Sequence, residues 1–165
     1  MIIVTGPQRS GTRLASHIIA RDTKLTYVDE FDYNLDVDVK SVIQSPALLK
    51  SVVELSFMYP TAKFAFMYRN VDDIVASLER VEWYKDYVTD PTFYRTYVEH
   101  CYKYIDLLKK ELPKERWFDI HYESLVCDPY FVSDRSDFTT MQCFADKPVG
   151  PKLWRNDDYI RSNTG

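Results

Sequence analysis

The chain reads as an α/β protein built on a mostly parallel sheet, and three observations predict this. Short apolar runs alternate with amphipathic stretches from residue 1 to about residue 122. The first run, "MIIVT", passes straight into the glycine-flanked turn "GPQRSGTR" and then into a helical stripe. A later run, "KFAFMY" at 63–68, repeats the order of strand then helix with "VDDIVASLERV". No fixed-period repeat and no low-complexity segment interrupts the pattern.

"MIIVT" is short, apolar and rich in β-branched residues, as a buried strand is. Leu14, Ala15, Ile18 and Ile19 then form one stripe, so a helix is expected from near Gly11 to about Arg21. "LTYV" (25–28) and "KSVIQ" (40–44) are the next candidate strands, with the acidic stretch "DEFDY" following the first of them. "SPALLKSVVELSFMY" (45–59) predicts one helix, with Leu48, Leu49, Val52, Val53 and Leu55 as its apolar positions. After the strand at 63–68, Val71, Ile74, Val75, Leu78 and Val81 share one helical face. A longer helix is expected over 92–111, with Tyr94, Tyr97, Val98, Cys101, Ile105 and Leu108 facing in. "RWFDIHY" (116–122) is the last clear strand, and short helices and loops are expected from Cys127 onward.

At 165 residues the chain is long enough for one domain with a real core, so a single domain over 1–165 is expected. No stretch is apolar for long enough to span a membrane, and no leader is expected because the first strand begins at Met1. The three cysteines (Cys101, Cys127 and Cys143) follow no metal-ligand spacing; reduced thiols in a cytoplasmic protein are the simplest reading. The net charge of −4 argues against a nucleic-acid footprint.

The loop at residues 6–12 carries the chemistry. Two glycines five apart, between strand and helix, expose backbone N–H groups and aim a helix N-terminus at an anion. Arg9, Ser10 and Thr12 add side-chain donors. A loop that hydrolyses nucleoside triphosphates has lysine where Thr12 stands. It also needs a magnesium carboxylate at a neighbouring strand end. The strand at 63–68 ends instead in Arg69, and Asp119 lies inside a strand. A phosphate-bearing ligand held by arginines and hydroxyls, without metal, fits these residues better. Ligands of parallel sheets bind beyond the carboxyl ends of the strands, where residues 6–12, 29–31 and 69–70 should meet.

These residues carry a resemblance. "GPQRSGT" resembles the 5′-phosphosulfate loop of sulfotransferases that use 3′-phosphoadenosine 5′-phosphosulfate (PAPS). "YPTAKFAFMYRNVDDIVASL" (59–78) resembles that superfamily's second signature, in which a serine lies eight residues after a strand-end arginine, as Ser77 does after Arg69. "IQSPALL" (43–49) and "HYESLVCDP" (121–129) are similar to two further segments, in the family's order; the pattern is nearest to bacterial and tyrosylprotein sulfotransferases. The departures are Arg13 for the loop's second threonine, Gln44 where lysine is common, "RNVDD" without the usual proline, and a short chain. No basic-glycine motif closes the C-terminal side, where Lys152, Arg155 and Arg161 are the only substitutes.

The resemblance implies a three-layer P-loop nucleoside-triphosphate-hydrolase-like fold and sulfuryl transfer from PAPS to a hydroxyl or amine. It implies that Gly6, Pro7, Gln8, Arg9, Ser10, Gly11, Thr12 and Arg13 cradle the 5′-phosphosulfate, that Arg69 and Ser77 take the 3′-phosphate, and that no metal takes part. Arg9 would stabilise the departing phosphate. Glu30, twenty-one residues after Arg9, would be the general base, with Asp29 next in line. The acceptor is a small molecule, a carbohydrate or a peptide, with no nucleic acid or membrane partner expected. Two other functions stay open: a nucleotide or nucleoside kinase with an altered loop, and an inactive nucleotide-binding module of the same fold.

Overall fold

The protein is described by a computed structural model covering residues 1–30, 40–82, 85–88 and 90–126. Five strands form one sheet: β1 (Ile2–Thr5), β2 (Thr26–Val28), β3 (Ser41–Gln44), β4 (Lys63–Tyr68) and β5 (Trp117–His121). Their spatial order is β2-β3-β1-β4-β5, and every pairing is parallel. The helices are α1 (Thr12–Thr23), α2 (Val52–Met58), α3 (Val71–Arg80), α4 (Phe93–Glu111) and α5 (Tyr122–Val126).

Strand side chains alternate between two faces, and each face has its own core. Ile2, Val4, Val42, Ala65, Met67, Phe118 and Ile120 meet Leu14, Ala15, Ile18 and Ile19 of α1. Ile3, Ile43, Phe64 and Phe66 face the other way, onto Leu48, Leu49 and Val52 and onto Ile105 and Leu108 of α4. Such two-sided burial explains why these strands read as nearly unbroken apolar runs. The result is a helix–sheet–helix sandwich, the three-layer α/β fold expected from the sequence. A third, smaller cluster of Ile74, Leu78, Tyr94 and Val98 fastens α3 to α4.

One expected element differs. The single helix over 45–59 is a 3₁₀ helix at Pro46–Ser51 followed by α2. Ser45, which precedes proline, is extended (φ −161°) and donates its N–H to the carbonyl of Val4, so it prolongs the sheet rather than starting the helix. Val53, one of the apolar positions of the expected helix, is exposed, and Phe57 is 79% exposed. The expected short helices beyond Cys127 lie outside the described residues, as do Lys152, Arg155 and Arg161.

The two-sided core sets a contrast that denaturation can measure. Phe64→Ala removes a fully buried ring and is expected to cost about 3–5 kcal/mol. Phe57→Ala should stay within about 0.5 kcal/mol. Urea unfolding of both variants checks this, and equal losses would contradict the packing described.

Candidate active site

Three loops leave the carboxyl ends of adjacent strands: residues 6–11 after β1, Ser45 after β3, and Arg69–Asn70 after β4. Two glycines permit the first loop's path. A Cβ on Gly6 would lie 2.9 Å from the carbonyl oxygen of Met67 in β4. A Cβ on Gly11 (φ +99°) would meet the ring of Tyr122 at 2.6 Å. The loop is therefore pressed against β4 on one side and α5 on the other, and no larger residue fits at either point. Arg9 itself adopts a left-handed conformation, with φ 69°.

Some of the loop's polar groups are used to hold its own shape. Ser10 donates both its N–H (3.2 Å) and its hydroxyl (2.7 Å) to the carbonyl of Pro7. The N–H of Gln8 donates to the phenol oxygen of Tyr97 at 3.0 Å. Groups at the start of α1 are differently placed. Gly11 is its N-cap and has no side chain to cap with, and the first turn carries no acidic residue. The leading N–H groups of a helix lack intrahelical acceptors. Those of α1, with the positive end of the helix dipole, are suited to an anion. Thr12 has its hydroxyl oxygen fixed by the side-chain amide of Gln44, which donates at 2.9 Å. That leaves the Thr12 hydroxyl hydrogen to point elsewhere.

Helix α3 begins on the same rim with the opposite character. The Asn70 side chain accepts the N–H groups of Asp72 and Asp73. Two carboxylates in that first turn repel a further anion. Of these two helix starts, only that of α1 is open to a phosphate.

The expected cationic residues converge. Arg9 Nε donates to the hydroxyl oxygen of Ser77 at 3.0 Å, joining residues from α3 and the loop. Arg69 Nη1 donates to the carbonyl of Arg9 at 3.0 Å. The guanidinium of Arg69 lies 4.2 Å from the centre of the Tyr122 ring, in cation–π contact. Its Nε is buried and has no hydrogen-bond partner among the described residues. Asp72 pairs with Arg95 rather than with Arg69.

The acidic residues sit beside the loop as well. Glu30 receives the hydroxyl of Ser45 at 3.4 Å. Burial raises its pKa from the ordinary value, and the neighbouring charge of Asp29 adds to this. Asp29 is engaged differently: it pairs with Arg13 at 3.0 Å and accepts the Tyr27 hydroxyl at 2.8 Å. Arg13, expected among the loop's phosphate ligands, thus has a carboxylate partner of its own. His17, one turn further along α1, stacks on Tyr27 with ring centres 3.8 Å apart. Burial, with the nearby charge of Arg13, lowers its pKa to about 4.

Sequence reasoning missed two contributors, while Tyr122 was expected to organise structure rather than do chemistry. Tyr97 and Tyr102 of α4 hold backbone groups of the two rim loops, although periodicity marked Tyr97 only as inward-facing. Tyr122 supports Arg69, which the pairing of Tyr68 with His121 makes possible by placing the next residues side by side. Asp32 lies outside the described residues. Among the described residues no group of His, Cys, Asp or Glu is arranged to hold a metal ion, and no helix is long and apolar enough to cross a membrane.

A parallel three-layer sheet, a glycine-flanked loop leading into an open helix start, and arginines gathered beside it define a P-loop-like α/β protein. Comparison with protein families then matches residues 24–132 to the sulfotransferase family, which is more than half of the chain. The chain belongs to that family, and membership supports sulfuryl transfer as its general activity. The match begins after α1, so the reading of the loop at 6–11 rests on the geometry above. No curated protein matches the chain.

The His17 environment yields a pH prediction. Its folded pKa, about 4, lies below the ordinary value of 6.5, so folding favours the neutral ring. Its contribution to stability is complete above pH 6.5, falls as pH drops from there toward 4, and changes little further below. His17→Phe keeps a ring against Tyr27 and removes the titration. The variant's melting temperature should therefore fall less steeply across that window than the wild type's. Identical slopes would mean His17 is not held neutral.

Proposed function

We propose that the protein is a PAPS-dependent sulfotransferase acting on a hydroxyl or amine of a small-molecule, carbohydrate or peptide acceptor. The observation that carries this is the convergence of Arg9, Arg69 and Ser77: Arg9 Nε to Ser77 Oγ at 3.0 Å and Arg69 Nη1 to the Arg9 carbonyl at 3.0 Å. Two sequence segments, each with the pattern of a phosphate site, thus share one rim. The fit to a nucleotide with phosphates at both ends of its ribose rests on three features. The glycine cradle admits no Cβ. The α1 start has no side-chain cap. Arg69 Nε is a buried donor with no hydrogen-bond partner among the described residues.

PAPS, when bound, supplies the sulfuryl group. The chain's own residues supply position and charge. The first-turn N–H groups of α1 and the Thr12 hydroxyl would hold the 5′-phosphate. Arg69 and Ser77 would hold the 3′-phosphate, where a guanidinium fork suits a dianion better than an ammonium. Arg9, in the loop and bonded to Ser77, would offset charge growing on the departing 5′-phosphate oxygen. Glu30 would take the acceptor's proton. Its raised pKa makes it a stronger base than an exposed carboxylate, and its contact with Ser45 aims it at the rim of β3 and β1. Asp29, paired with Arg13 and hydrogen-bonded by Tyr27, is the weaker candidate.

Ligand choice tests the reading. In calorimetric titration without metal, adenosine 3′,5′-bisphosphate is expected to bind at least tenfold more tightly than AMP, because a charge-assisted hydrogen bond contributes about 1.5–3 kcal/mol. Arg69→Ala should remove that difference. A preference for ATP–Mg²⁺ would favour the kinase reading, and bisphosphate binding without turnover would favour an inactive module.

Glu30→Gln keeps the side chain's shape and removes its basicity. Bisphosphate binding should persist while sulfuryl transfer to the acceptor falls by about 10²–10⁴-fold. Unchanged turnover would move the base to another group.

A further inference from the structure

We propose that two tyrosine hydroxyls of α4 are positioning residues with separate tasks: Tyr97 sets the loop after β1, and Tyr102 sets the strand end that carries Arg69. The assignment rests on the nucleotide reading above, and deepens it by dividing the second layer of the site between two phosphates.

Both phenols reach out of the helix to a backbone. The Tyr97 oxygen accepts the N–H of Gln8 at 3.0 Å, across 89 residues of sequence. The Tyr102 oxygen accepts the N–H of Arg69 and donates to the carbonyl of the same residue, both at 2.9 Å. Burial raises the Tyr102 pKa to about 12, so the group remains a neutral phenol able to do both. Tyr102 also stacks on Tyr68, with ring centres 5.1 Å apart, which fixes the direction of its hydroxyl.

Each contact acts where the chain leaves regular structure. Gln8 lies between Gly6 and the left-handed Arg9, so its N–H has no strand or helix partner. Tyr97 supplies one, and thereby fixes the peptide that leads into Arg9. Arg69 follows the last residue of β4, beyond the ladder that ends with Tyr68 opposite His121. Tyr102 supplies the missing partners there, and thereby fixes the root of the guanidinium that reaches the Arg9 carbonyl. The Tyr102 hydroxyl is not itself an anion ligand, since its proton is given to the Arg69 carbonyl.

Phenylalanine variants keep the rings, and so the core, while deleting the hydroxyls. Losing one hydrogen bond of this kind should weaken the dependent ligand contact about three- to tenfold. Tyr97→Phe should weaken AMP and adenosine 3′,5′-bisphosphate alike and leave their ratio unchanged. Tyr102→Phe should weaken the bisphosphate and leave AMP alone, so that their ratio falls. Amide hydrogen exchange, followed by NMR on the ligand-free protein, gives a readout independent of nucleotide. Gln8 N–H should exchange faster only in Tyr97→Phe, and Arg69 N–H only in Tyr102→Phe. Parallel effects of both variants on both ligands and both amides would reduce the tyrosines to general packing and overturn the division. Wild-type protein that binds neither nucleotide would instead overturn the nucleotide reading. In that case the exchange pattern and a titration with inorganic phosphate decide the tyrosines' roles: local amide effects with weakened phosphate binding in Tyr97→Phe support them, and their absence overturns them.

Discussion

β1 and β4 pair in parallel with Thr5 opposite Phe66, so the chain leaves both strands at the same edge of the sheet, β4 running two residues further to Tyr68. The site depends on that register. Gly6 turns immediately over Met67, at a distance no Cβ allows, and the loop it opens ends at the start of α1. Arg69, two residues past Met67, then finds the Arg9 carbonyl within hydrogen-bond reach. A slip of one residue would turn over the strand that shifted, sending Ile3 of β1 or Phe66 of β4 into the wrong core. The apolar alternation that stabilises the sheet is thus what sets the spacing of the polar groups above it.

Charge is arranged on this frame by pairing one rim cation with a carboxylate and orienting another with uncharged groups. The chain is acidic overall, with a net charge of −4, yet its rim gathers Arg9, Arg13 and Arg69. Arg13 is balanced by Asp29, and the pair is steadied by Tyr27 beneath it. Arg69 is held by a ring face and a carbonyl, neither of which neutralises it. The full guanidinium charge is therefore available beside an uncapped helix start. The neutral His17 fits the same pattern: a second cation next to Arg13 would compete for Asp29, and burial against Tyr27 keeps the ring uncharged.

The sheet was legible in the sequence because burial on both faces leaves runs such as "IIVT" and "KFAFMY" almost purely apolar. Helices α3 and α4 were legible from their stripes. The expected helix at 45–59 starts only at Pro46 because the residue before a proline is driven to extended backbone, an effect that periodicity does not register. The site was legible in part. Glycine spacing marked the loop, and the interval from Arg69 to Ser77 marked a second segment. Contacts between distant residues were not legible. Nothing in the stripe of α4 tells a packed phenol ring from one whose hydroxyl holds a loop, since both face inward. The pair of Arg13 with Asp29 is equally silent, because it depends on where β2 lies relative to α1.

The loop's internal bonds also bear on which of its groups can act. Ser10 turns its hydroxyl back onto Pro7, and Gln8 gives its N–H to Tyr97. A loop that used those donors for a ligand would have to break contacts that define its shape. What remains is the start of α1, together with Thr12, whose hydroxyl Gln44 orients. Lysine at position 44 would bring a charge to that place; glutamine brings a dipole and keeps the floor of the site neutral. The positive field at the rim then comes from the helix and from arginines anchored on neighbouring elements. Groups already fixed by the fold need little reorganisation when charge develops beside them, and this is the property a site for anionic leaving groups requires. Helix α4, which closes the lower core through Ile105 and Leu108, supplies two of those anchors through Tyr97 and Tyr102. Stability of the core and precision of the rim are consequently properties of the same helix.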